Sequence, residues 1–280
     1  MKLLIHGGFF SEFSQSNETK VAKQNAMERI AKASFEYLKT HSAVETVVFA
    51  VEQLENDSLF NAGIGSQIQN DGVIRMSASL MDGTTKKFSG VINIQEVKNP
   101  IRVAENLITV DDRVLGGEGA NAYAKSISIE TFSTEIPERR AEYEAKLAAS
   151  RLGTVGCVAL DNEGKLAAAT STGGKGFEIP GRISDSATVA GNFANDDCAV
   201  SCTGVGEDIV SAAVASSIAT RVTDGFTIDK AFDKTFSELA KFDGFAGAIG
   251  LDKYGNMFWQ ESHPKIVFAA YDGVNFTVFS

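Results

Sequence analysis

The chain has 280 residues, 44% hydrophobic and 22% charged, enough for a large core in one big domain or two small ones. A net charge of −10, with no basic cluster interleaved with aromatics, argues against nucleic acid or an anionic membrane surface as partner. Three cysteines in apolar runs, Cys157, Cys198 and Cys202, read as reduced buried thiols, and with no signal-like start or bilayer-length segment they predict a cytoplasmic protein.

Residues 3–6 read as a buried first strand, ended by a Gly7-Gly8 turn. Helical periodicity runs over 18–40, with Val21, Ala26, Ile30 and Phe35 among its apolar positions, and a second helix covers 44–54. Residues 73–81 alternate as a half-buried strand does, and 88–94 is another strand. Pro100, at a natural first position, opens a helix through 108, and 117–126 is a further short helix. The stretch 134–151 is rich in Glu, Arg, Lys and Ala, which predicts a solvated helix or a mobile linker. Strands follow at 154–160, 166–172, 188–191 and 199–203. Two helices come next, 206–222 and 228–239, the second with Thr227 as N-cap. Residues 247–279 alternate again as strands, with Lys253-Tyr254-Gly255-Asn256 as a turn. Strands in both halves with flanking helices predict an α/β fold of packed sheets covered by helices.

The most telling local feature is Gly153-Thr154-Val155-Gly156, followed downstream by Thr170-Ser171-Thr172-Gly173-Gly174. A threonine straight after a flexible glycine becomes a chain end if the Gly-Thr bond is cut. It then carries a hydroxyl nucleophile and an amine base on one residue, a complete catalytic unit. The same run also reads as an ordinary β-hairpin, with Asp161-Asn162-Glu163-Gly164 as its turn. His6, His41 and His263 sit in no Ser-His or Cys-His motif, and no His/Cys cluster has zinc spacing.

Five further segments accompany that junction. They are His6-Gly7-Gly8, Leu59-Phe60-Asn61-Ala62-Gly63-Ile64-Gly65, Ser79-Leu80-Met81-Asp82-Gly83, Gly181-Arg182-Ile183-Ser184-Asp185-Ser186 and Ser201-Cys202-Thr203-Gly204-Val205-Gly206-Glu207. In this order and spacing they resemble the plant-type asparaginase and isoaspartyl aminopeptidase family of N-terminal nucleophile hydrolases, from the first strand to about Gly255. The resemblance implies a four-layer αββα sandwich made as one precursor, a single hydrolase domain over 1–280. Self-cleavage between Gly153 and Thr154 would leave an α-chain, 1–153, whose linker 134–153 is mobile, and a β-chain, 154–280. Two such αβ units are expected to pair as a homodimer, for which the apolar helix around Val210 to Ile218 is the supporting feature.

The resemblance also implies roles. Thr154 attacks the side-chain carbonyl of asparagine or of a β-aspartyl dipeptide, and its freed amine, of unperturbed pKa roughly 7.7–8, takes the hydroxyl proton. Thr172 orients the nucleophile, though alone it reads as a β-branched strand residue. Thr203 and Gly204 form the oxyanion hole, with Gly206 beside the substrate. Arg182 and Asp185 grip the α-carboxylate and α-ammonium; by themselves they also read as a surface ion pair. Asn61 supports the nucleophile, and alone reads as a turn asparagine. No organic cofactor is implied. A structural sodium ion is, held by the backbone carbonyls of Leu54, Glu55, Asp57, Phe60, Ala62 and Ile64.

The chain departs from the family pattern at several points. Ser184 and Ala187 replace a glycine and a proline, Glu178 stands where lysine is common, Phe9-Phe10 follow the first glycines, and Arg75 and Ser77 replace an acidic pair. The competing readings are a glycosylasparaginase-like amidase, a taspase-like endoprotease, and an uncleaved homologue that binds or scaffolds.

Overall fold

Residues 1–10, 15–145, 153–263 and 265–280 are described by a computed structural model. Alternating apolar runs become strands that pair over long sequence distances. The larger sheet takes β1 (Lys2–Phe9), β2 (Met76–Asp82), β3 (Lys87–Ile94), β4 (Val114–Gly116), β5 (Val155–Leu160), β6 (Leu166–Thr172), β11 (Ile266–Tyr271) and β12 (Phe276–Val278). Their order across the sheet is β12-β11-β1-β5-β6-β2-β3-β4. The smaller sheet is β10-β9-β8-β7, from β7 (Asn192–Ala194), β8 (Cys198–Gly204), β9 (Ala246–Asp252) and β10 (Met257–Glu261). The two sheets meet where β8 crosses β1, β5 and β6.

Helices cover the larger sheet. They are α1 (Asn17–Leu38), α2 (Ala43–Glu55), α3 (Pro100–Leu107) and α4 (Gly117–Ser126). Ser42 and Glu45 open α2 with reciprocal hydrogen bonds, the Ser42 hydroxyl accepting from the Glu45 N–H at 3.3 Å and the Glu45 carboxylate from the Ser42 N–H at 2.9 Å. Val47, Val48, Val51 and Leu54 of α2 are then buried. On the smaller sheet lie α6 (Gly206–Ala212), α7 (Val214–Thr223) and α8 (Ile228–Leu239). One apolar cluster lies mainly on the larger sheet and a second between β8, β9 and the covering helices.

Several boundaries differ from the sequence expectation, each for a local reason. β1 does not stop at Gly7-Gly8 but continues to Phe9, with a register shift against β11 between His6 and Phe9. Residues 188–191 are not a strand. The Thr188 N–H and hydroxyl both donate to the Asp185 carbonyl, at 2.8 and 2.7 Å, which turns the chain, and pairing begins only at Asn192. The helix expected over 206–222 is broken at Ala213, whose φ of 47° and ψ of 44° separate α6 from α7. Thr227 does stand at the N-cap of α8, but its side chain makes no cap hydrogen bond. β4, only three residues long, is not among the strands expected from the sequence, and the strand expected from 73 starts at Met76. Within 134–153, a helix α5 (Pro137–Glu144) forms, with Arg139 buried; residues 146–152 of that linker lie outside the described residues.

Candidate active site

Strand alternation brings the threonines together. Thr154 precedes β5, Thr172 ends β6, and β5 pairs antiparallel with β6, so both lie at one end of the larger sheet. The Thr154 hydroxyl donates to the Thr172 hydroxyl at 3.2 Å, and Thr172 Oγ1 also accepts from the Gly174 N–H at 3.2 Å. Both threonines are buried, Thr154 at 7% exposure. The hydrogen bonds of Asn61 run to the neighbouring loop rather than to Thr154. Its amide donates to the Gly174 carbonyl, its Oδ1 accepts from the Gln67 N–H at 3.1 Å, and its carbonyl accepts from the Gly173 N–H at 2.9 Å. Asn61 therefore braces the glycines that in turn hold Thr172.

β8 supplies the facing wall. Cys198, Val200 and Cys202 turn toward the covering helices, so Ser201 and Thr203 turn toward the larger sheet. Thr203 is fully buried, and its hydroxyl has no hydrogen-bond partner. Such an orphan is costly in a structural position and suits one that awaits a ligand. Gly204 follows with φ of 140°, and a Cβ there would fall 2.6 Å from the Phe245 carbonyl oxygen, so only glycine fits. Phe9 packs edge-on against Phe245, ring centroids 4.8 Å apart, and borders a cavity of about 260 Å³ that Gly7, Asn61 and Gly153 also line.

Arg182 and Asp185 stand near each other, but they are not paired. Arg182 Nε and Nη2 donate to the two oxygens of Glu207 at 2.7 and 2.8 Å. This two-pronged contact pulls the Glu207 carboxyl down to about 2. Asp185 is 2% exposed, its Oδ2 has no partner, and burial pushes its carboxyl up to about 7 against the pull of Arg182. A methyl group at Gly206 would lie 3.0 Å from both Arg182 Nη2 and Asp185 Oδ1, so one small space borders both charges. The surface ion pair is thus with Glu207, a residue of the 201–207 motif to which the resemblance assigns no role. Arg182, Glu207, Lys175 and Glu178 line a cavity of about 540 Å³.

The departures have local accounts. Ser184 is extended, and its hydroxyl accepts from the Ser186 N–H at 3.4 Å, capping the turn that carries Asp185. Ala187 is buried against the Gly90 region of β3. Arg75 binds both oxygens of Asp71, at 3.0 and 2.9 Å, and Ser77 accepts from the Asn93 N–H at 3.2 Å. Glu178 is 5% exposed; one carboxylate oxygen accepts from the Lys175 N–H at 3.2 Å and the other has no partner.

Around the loop 54–64, the Glu55 and Asp57 carbonyls accept backbone hydrogen bonds from Ile64 and Phe60, and the Leu54 carbonyl accepts from both Asn56 and Asp57. The Glu55 side chain turns inward, accepting from Ser171 Oγ at 2.6 Å and the Ile101 N–H at 3.1 Å, and burial pushes its carboxyl up to about 8. Among the described residues, no group of three or more His, Cys, Asp or Glu gathers as metal ligands, and no helix is long and apolar enough to cross a membrane. The three cysteines are free and buried. The apolar stretch 210–218 is largely internal, with Val214, Ala215 and Ile218 in the chain's own core and only Val210 among its larger residues exposed.

The chain belongs to the asparaginase family, which matches residues 1–146 and, in an overlapping second stretch, 133–278. It is 40% identical to an isoaspartyl peptidase/L-asparaginase of Synechocystis, covering 97% of this chain and 88% of that one. It is 35% identical to the isoaspartyl peptidase of Escherichia coli, over 91% and 88% of the two chains. A plant-type L-asparaginase of Pyrobaculum calidifontis is 34% identical, over 90% and 91%.

Proposed function

We propose that this protein is an autoproteolytic threonine hydrolase that cleaves β-aspartyl dipeptides and the side-chain amide of L-asparagine. The observation that carries this reading is the hydrogen bond from Thr154, directly after Gly153, to Thr172. The names of the relatives support the substrate class. The two sheets with their flanking helices are then the four-layer αββα sandwich of N-terminal nucleophile hydrolases.

In maturation, Thr154 Oγ attacks the Gly153 carbonyl, the peptide nitrogen leaves as the Thr154 amine, and water hydrolyses the resulting ester. In turnover, the amine accepts the hydroxyl proton and Oγ attacks the substrate's β-carbonyl carbon. The Thr203 hydroxyl and the Gly204 N–H stabilise the oxyanion. The proton passes to the departing amine, and water then releases aspartate from the acyl-enzyme. Arg182 Nε and one Nη2 hydrogen face Glu207, leaving Nη1 and the second Nη2 hydrogen for an α-carboxylate. Asp185 takes the α-ammonium beside Gly206. Both asparagine and β-aspartyl peptides present that head, and ordinary α-peptides do not.

The backbone carbonyls of Leu54, Glu55, Asp57, Phe60, Ala62 and Ile64 would hold a sodium ion that stiffens the loop carrying Asn61. A set of neutral carbonyl oxygens, among which those of Glu55 and Asp57 accept from Ile64 and Phe60 and keep a second lone pair, suits a hard cation better than a transition metal. Free buried thiols suit the cytoplasm. Two αβ units pair; a lone unit by light scattering at micromolar concentration would count against that.

Intact mass after prolonged incubation tests the first step: fragments joining at 153/154 are expected, and none from Thr154→Ala. Kinetics on β-aspartyl-leucine, aspartyl-leucine and asparagine test the second. Arg182→Lys should self-cleave yet lose turnover, because lysine cannot reproduce the planar fork. A wild type that stays one chain, or equal turnover of the α-linked dipeptide, would overturn the reading.

A further inference from the structure

The register of the larger sheet sets His6 beside Gly156 and Gly156 beside Thr170, one row across β1, β5 and β6. With no side chain at Gly156 the row has a gap, and Ser201 reaches into it from β8 of the facing sheet. A methyl group at position 156 would lie 2.0 Å from Ser201 Oγ and 2.4 Å from His6 Nε2, so that space is already taken. Ser201 Oγ is 2.8 Å from His6 Nε2 and 2.6 Å from Thr170 Oγ1, while His6 Nδ1 is 3.0 Å from the Thr154 carbonyl oxygen. His6, Thr170 and Ser201 are all fully buried.

The direction of each bond follows from chemistry. A carbonyl oxygen only accepts, so Nδ1 carries the ring proton. Burial pushes the His6 imidazole down to about 3, so the ring is neutral and Nε2 accepts from the Ser201 hydroxyl. Ser201 in turn accepts from the Thr170 hydroxyl. The result is a directed chain, Thr170 to Ser201 to His6 to the Thr154 carbonyl, spanning both sheets. Thr154 and Thr172 lie two residues along from Gly156 and Thr170, on the same face and in the next row.

We propose that His6, Ser201 and Thr170 are positioning residues that clamp the main chain of Thr154 for the hydrolysis described above. The inference rests on that reading of function. Once the bond before Thr154 is cut, nothing upstream restrains the residue. Its carbonyl fixes the 154–155 peptide plane and with it the Cα that bears the amine and the side chain, while the hydrogen bond to Thr172 directs the hydroxyl from that anchored Cα. Ser201 is sealed from solvent and does not act as a nucleophile here.

Nitrogen NMR of the three histidines in the mature protein should show His6 as the Nδ1–H tautomer at neutral pH. Thr170→Val and Ser201→Ala should lower kcat about tenfold with KM unchanged, because neither touches Arg182 or Asp185. Thr170→Ser, which keeps the hydroxyl, should recover most of that loss. If Ser201→Ala fails to fold, the Thr170 pair decides. A folded Thr170→Val with wild-type kcat, or a loss expressed in KM, overturns the clamp. An active wild type with an Nε2–H or charged His6 overturns the clamp alone. An Nδ1–H wild type inert toward the dipeptide overturns the proposed function and the clamp with it.

Discussion

Thr203 and Asp185 are each buried with a polar atom left unpaired, and both belong to the site proposed to receive substrate. Thr203→Val keeps the β-branched shape and removes an unpartnered hydroxyl. It should lower kcat by about 100- to 1,000-fold while leaving stability unchanged or raising it by about 1 kcal/mol. Turnover and a melting curve on one sample check this, and a large drop in stability would mean that the hydroxyl has a structural partner. Asp185 makes a pH prediction. Its carboxyl, raised to about 7 by burial, is neutral below that pH and cannot hold an ammonium group. Binding of the product L-aspartate should therefore tighten as pH rises through about 7, and Asp185→Asn should flatten the curve. Below pH 7 an amine of unperturbed pKa roughly 7.7–8 at Thr154 stays protonated, so a flat wild-type curve between about pH 5 and 7 counts against Asp185. At this scale much of the candidate site was legible, because hydroxyls, glycines and charges cluster in short motifs. The partners of Glu207 and His6 are not legible, since an ion pair 25 residues apart and a bond spanning 148 residues have no local signature.

Elements were legible where one periodicity dominates and misjudged where backbone geometry overrides it. Residues 211–219 are alanine or serine at seven of nine positions, so propensity gives no reason to stop at 213. The structure stops there because Ala213 adopts a left-handed conformation, with its N–H directed to the Ile209 and Val210 carbonyls, which lets α7 turn back onto β7 and β8. Alanine in that region carries strain that glycine does not. Ala213→Gly should therefore stabilise by about 0.5–1 kcal/mol, about 2 °C in Tm for a chain of this size, without changing kcat. A lower Tm would mean that the two helices fluctuate into one. The same limit applies to β1. Gly7-Gly8 looks like a turn in sequence, yet the strand runs on because β5 and β11 flank it on both sides. Local glycine preference is outweighed by two ladders that no short window contains.

At the scale of the whole molecule, the order of the larger sheet determines what cleavage before Thr154 does. β1, β2, β3 and β4 come from residues 1–153, and β5, β6, β11 and β12 from 154–280. In space they interleave: β1 lies between β11 and β5, and β6 lies between β5 and β2. Separating the two pieces would break the β1–β11, β1–β5 and β2–β6 ladders at once and open the core between them. This arrangement was beyond the sequence, since each of those pairings joins residues far apart in the chain. The cut product should therefore elute as one particle in native buffer and resolve into two fragments only in denaturant. Residues 1–153 made alone would leave both edges of β1 and one edge of β2 unpaired, and they should aggregate. Cutting also changes the unfolded state, because two free chains must find each other before β1 can pair. Refolding of the cleaved protein should thus slow on dilution, while uncleaved Thr154→Ala should refold at a rate independent of concentration. Fragments that separate in native buffer would contradict the interleaved sheet. Equal concentration dependence for both proteins would mean that subunit pairing, not the cut, limits folding.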